Sequence, residues 1–113
     1  MFVGGYDNVL AHIGGHVHRD IVVPIKPAGG HAYWEMTTTA LIDYPHQMRV
    51  IEIWDEDNGF LSIRGMPLDF SVEGDALGAE GRRLGIVDYT SGWTMDRRGQ
   101  TADRNVALYI PKP

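Results

Sequence analysis

The chain is predicted to be all-β: a small antiparallel β-sandwich or closed β-barrel of about seven to nine short strands with little helix. Three observations predict it. Two apolar runs flank a turn within Gln47–Gly65. Fourteen glycines and six prolines cut the remainder into short segments. Several of those segments alternate apolar and polar residues, as Leu68–Glu73 does strictly. At 113 residues the chain suits one domain, 1–113, large enough for its own core.

Val9–Ile13 follows Asp7-Asn8, a helix cap, and precedes Gly14-Gly15, a helix stop, so either a short helix or a strand fits. His16–Ile25 reads as a strand: Val17, Ile21 and Val23 are β-branched, and Pro24 marks its end or a sheet edge. Lys26–Gly30 is a loop. Ala32–Ile42, with Tyr33, Trp34 and three threonines, is a long β-prone run. Asp43-Tyr44-Pro45-His46 turns the chain into the central hairpin.

That hairpin is expected to close through the three-residue loop Asp57-Asn58-Gly59, with Gly59 at positive φ. The register then sets Ile53 opposite Ile63, Glu52 opposite Arg64 and Trp54 opposite Ser62. One face carries Ile51, Ile53, Leu61 and Ile63. The other carries Trp54 and a Glu52–Arg64 ion pair. A tighter Asn58-Gly59 turn would set Ile53 against Arg64, which is worse.

Leu68–Glu73 is expected to be a further strand. Gly74–Gly85 is a glycine-interrupted loop with room for one helical turn at Ala79–Leu84, since several glycines make a long helix costly. Ile86–Thr90 and Trp93–Arg97 flank Ser91-Gly92 as a second hairpin. Arg98–Asn105 is a loop, and Val106–Ile110 is the last strand.

The charge of −5 is unevenly placed. Glu52–Glu80 holds eight acids and one base, whereas Gly81–Pro113 holds three acids and six bases. This distribution argues against general nucleic-acid binding, which wants a continuous basic surface. Either opposite charges meet within the fold, or an acidic rim at Asp55, Glu56 and Asp57 meets a basic patch at Arg82, Arg83, Arg97, Arg98 and Arg104 between subunits. No cysteine is present, which excludes disulfides and thiolate metal sites. No apolar run is long enough to span a membrane. MFVGGYDN lacks a basic region and a long apolar run, so no signal peptide is expected, and a cytoplasmic or virion location follows.

His16, His18 and Asp20 share parity, with His12 behind them. On one extended strand their side chains would share a face and offer two imidazoles and a carboxylate to a divalent transition metal. A cupin-type barrel would want a glutamate shortly after the second histidine, and Val22 and Val23 stand there. Paired carboxylates (Glu52 with Asp55, Asp88 with Asp96) lack any sequence mark of a cleft. Ser91-Gly92 is not the strand-to-helix elbow of a hydrolase. Asp55–Gly59 opens like a calcium loop, but its closing glutamate position is Met66.

Aromatic residues on strand faces are the remaining signal. Trp54, with Glu52 and Arg64 beside it, and Trp93 are the candidate binding residues. The expected function is a non-enzymatic protein-binding or assembly module, oligomeric, of the inhibitor or virion-component kind, with no cofactor. The alternative is a small β-barrel metal-binding protein or enzyme using His16 and His18. A barrel enclosing an apolar ligand is the third reading.

Overall fold

The computed structural model describes residues 3–92 and 97–113. After a single 3-10 turn at Val3–Gly5 come strands β1 (Ala11–Gly14), β2 (Ile21–Ile25), β3 (Tyr33–Thr37), β4 (Met48–Asp55) and β5 (Phe60–Leu68). Helices α1 (Ala76–Thr90) and α2 (Thr101–Arg104) follow, and then strand β6 (Val106–Pro111). The strands form two separate three-stranded sheets, ordered β1-β3-β2 and β4-β5-β6. The architecture is mainly strand, and neither sheet closes into a barrel. Six strands stand among the described residues where seven to nine were expected. The arrangement is not wholly antiparallel either, because β1 runs parallel to β3.

The central hairpin has the expected register. Glu52 faces Arg64, Ile53 faces Ile63, and Trp54 faces Ser62. Glu56 N–H donates to the Phe60 carbonyl at 3.1 Å, which closes the loop around Asp57-Asn58-Gly59. Gly59 has φ +89°, a conformation that costs glycine little. Asp57 is also left-handed, at +55°. Asn58 contributes its side-chain oxygen, which accepts from Phe60 N–H at 3.1 Å.

The core lies where the sheets meet. Met36 of β3 packs with Ile63 of β5 and Leu108 of β6, flanked by Trp34, Val22, Ile51 and Val106. Gly65 makes this approach possible: a Cβ there would meet Met36 and Val106 side chains at 3.0 Å. Ile63 is 1% exposed, but Ile53 on the same face stays 63% exposed, outside the core cluster. Trp34 Nε1 donates to the Tyr109 carbonyl at 3.1 Å and so ties the two sheets.

Three expected strands are different structures. Of His16–Ile25 only Ile21–Ile25 is strand; a turn comes first, with His18 N–H donating to the Gly15 carbonyl and His18 at φ +52°. Leu68 ends β5, so Asp69–Glu73 lies outside the sheet. Ile86–Thr90 belongs to α1, and Trp93–Asp96, in the other arm of the supposed hairpin, lies outside the described residues. Part of the Arg98–Asn105 loop is α2.

At fifteen residues, α1 exceeds the single turn expected for this region. Its glycines cost about 1 kcal/mol each relative to alanine. Opposing them, Asp75 caps the helix by accepting from Gly78 N–H at 2.9 Å, and Glu80 and Arg83 pair at 2.8 Å one turn apart. Gly92, at φ +79°, follows its C-terminal end. Docking requires one of the glycines outright. A Cβ on Gly85 would fall 1.8 Å from His46 Nε2. The helix therefore rests on the loop before β4, where Tyr44 and Tyr89 stack at 4.5 Å. Arg82 fastens it to the chain after β5, donating to Asp69 at 2.7 Å and to the Phe70 carbonyl at 2.6 Å.

Candidate functional site

Strand alternation builds the most distinctive surface. On the face of the β4-β5-β6 sheet turned away from Met36, the register sets Met48 beside Leu68, Val50 beside Met66, Glu52 beside Arg64, and Trp54 beside Ser62 and then Tyr109. Ser62 is fully buried beneath its neighbours, whereas the large apolar side chains around it are open. Trp54 is 50% exposed. Its ring lies under the Arg64 guanidinium, 5.1 Å from ring centroid to Cζ, and its Nε1 donates to Glu52 at 3.1 Å. Both contacts orient the indole on the sheet face.

The expected Glu52–Arg64 ion pair is absent. Arg64 turns instead to Glu56 at 3.3 Å, and Glu56 also accepts from the Ser62 hydroxyl. Glu56 reaches back from the hairpin end, which a cross-strand register alone does not reveal. Among the described residues no cation pairs with Glu52. The remaining acidic rim is partly neutralised within the chain: Lys112 meets Asp55 at 2.5 Å and holds that carboxyl below its ordinary range, helped by the Asp57 N–H. The basic patch is also engaged, Arg82 with Asp69, Arg83 with Glu80 and Arg97 with Asp43. Trp93 lies outside the described residues.

The histidine segment is not one strand face. His16 is exposed in the turn. His18 Nδ1 is hydrogen-bonded to Asp43, which also faces Arg97 at 3.7 Å. Asp20 is buried and paired with Arg49 at 3.4 Å, both side chains 1% exposed. Burial pushes Asp20 above the usual carboxylate range against the pull of Arg49, and burial likewise lowers Arg49. Arg49 donates to the carbonyls of Asp103, Arg104 and Thr37, so it joins β4 to α2 and β3. Asp20 is thus a structural counter-ion. No group of three or more metal-ligating side chains stands together among the described residues.

Sequence reasoning missed this buried pair, though a signal existed. Arg49 shares parity with Ile51 and Ile53, and a cation on the inner face demands a buried carboxylate. It also missed His46. Its Nδ1 lies 2.9 Å from the Leu41 carbonyl, which can only accept, so Nδ1 carries a proton, and its Nε2 lies against Gly85.

Among the described residues no helix is long and apolar enough to cross a membrane. Comparison with protein-family models and with curated proteins finds no match.

Proposed function

We propose that the chain is a non-enzymatic assembly module, its two sheets packed as a small sandwich, and that it works by self-association through the surface bearing Trp54. The observation that carries this reading is excess surface. The chain exposes 7407 Å². A compact monomer of this mass exposes about 6,200 Å². The difference, roughly 1,200 Å², is what one partner contributes to a large, permanent interface. Shape agrees: the radius of gyration is 16.8 Å, against about 13 Å for a compact chain of this length. Composition agrees too. Among the described residues Met36, Ile63, Leu108 and Ile110 are the buried large apolar side chains, while Trp54, Phe60, Met66, Tyr109 and many others are open. Exposed apolar surface on that scale marks an interface.

Light scattering on the purified chain tests this. A mass at least twice that of one chain is expected. Trp54→Ala should lower it while the far-ultraviolet circular dichroism spectrum stays unchanged, because Trp54 is not part of the core cluster. A strict monomer at high micromolar concentration overturns the reading.

A further inference from the structure

We propose, resting on the assembly reading above, that the outer face of the β4-β5-β6 sheet packs on the same face of a second copy, with Glu52 of each copy against Arg64 of the other. The face is apolar to an extent that water does not favour. Met48, Val50, Trp54, Met66, Leu68 and Tyr109 are all exposed on it. The opposite face of this sheet already supplies Ile63, Leu108 and Ile110 to the interior. A sheet apolar on both sides belongs between two layers, and the described residues provide only one.

Charge identifies the occupant. The face carries Glu52 and Arg64 side by side, and Glu52 has no cation of its own among the described residues. Arg64 spends one nitrogen on Glu56 and keeps further N–H groups. A two-fold axis running along the strands, midway between β4 and β5, carries each β4 residue over its cross-strand neighbour in the other copy. Glu52 then meets Arg64 twice, Val50 meets Met66, and Met48 meets Leu68. This is the self-complementarity a two-fold contact requires. Aligned packing of sheets about 10 Å apart accommodates it. The excess surface of roughly 1,200 Å² exceeds the ~800 Å² per partner of a standard interface.

Two competitors are weaker. The charged patches that would drive a head-to-tail contact are largely paired within the chain. Helix α1 exposes Leu77, Leu84, Ile86 and Val87. At about 100° per residue, Leu77, Leu84 and Val87 lie within about 80° of one another, but Asp88 falls on the same side and Ile86 points the opposite way, so this stripe is smaller than the sheet face.

The test uses charge reversal in the full chain, read by light scattering with circular dichroism as the folding control. Glu52→Arg sets two arginines together across the axis, and Arg64→Glu sets two glutamates together. Each should weaken association by roughly a hundredfold or more. Mixed in equal amounts, the two variants restore both opposite-charge contacts, and the dimer should return. Leu77→Lys on α1 should leave the mass unchanged. A wild-type dimer that neither reversal weakens, or reversed chains that stay apart when mixed, overturns this interface and leaves the assembly reading standing. Dissociation by Leu77→Lys also overturns it, by moving the contact to the helix. A monomeric wild type overturns both readings.

Discussion

Asp20 behaves unlike a surface carboxylate. Its folded-state pKa is raised by burial, more than Arg49 lowers it. In the window from the unfolded value of 3.8 up to the folded value, the native state binds more protons than the unfolded state. The contribution of this residue to stability therefore falls as pH rises through that window, and is regained on acidification. Asp55, held down by Lys112, has the opposite sign: its contribution is present above the unfolded pKa and lost as pH falls through the folded one. Asp20→Asn removes the titration. Urea unfolding of both proteins should show the wild type gaining on the variant as pH drops from 7 towards 4. Movement the other way means that the pull of Arg49 outweighs burial. In sequence Asp20 was grouped with His16 and His18 because period-two parity assumes an extended backbone. The left-handed His18 ends that assumption two residues before Asp20. Gly99 confirms how closely the chain folds over this point, since a Cβ there would meet the Asp20 carbonyl oxygen at 1.9 Å.

Among elements, the hairpin was legible and α1 was not. The hairpin is a local structure, fixed by its turn residues and by alternation that permits one good register. Glu52, Trp54 and Arg64 were therefore put on one face correctly, although the partner of Arg64 came from the loop. Helix α1 depends on distant residues. Gly81 and Gly85 look alike in sequence, yet a Cβ on Gly81 meets nothing within 4 Å, whereas one on Gly85 strikes His46. The two sites should respond oppositely. Gly81→Ala should raise helix stability by about 1 kcal/mol. Gly85→Ala should lower it by about 1–3 kcal/mol, by displacing His46 or lifting the helix. Amide hydrogen exchange along Ala76–Thr90 measures both. Equal effects at the two positions would mean that the His46 contact does not hold the helix down.

For the molecule as a whole, the small interior ties the proposed assembly to stability. A chain that completes its burial by pairing is stabilised by mass action, so its melting temperature should climb with protein concentration. Calorimetry over a hundredfold range of concentration should show that climb in the wild type. A constant midpoint would mean that one chain holds its fold alone. Alternation along β4 and β5 puts Trp54, Glu52 and Arg64 on the outer face, but the sequence reading left its apolar extent out: Met48, Val50, Met66 and Leu68 belong to it by the same parity, and Tyr109 joins it only through the pairing of β6 with β5. That pairing also has a consequence in time. Strand β5 gains its first neighbour from the adjoining hairpin and its second from Val106–Pro111, at the far end of the chain. During synthesis the hairpin can form while residues 69–105 are still being made, and one edge of β5 then lies bare. Of the described strands, the one made last closes the sheet. Until it arrives, the bare edge is equally open to the β6 of a neighbouring nascent chain, so slow completion of synthesis favours exchange of that strand between copies.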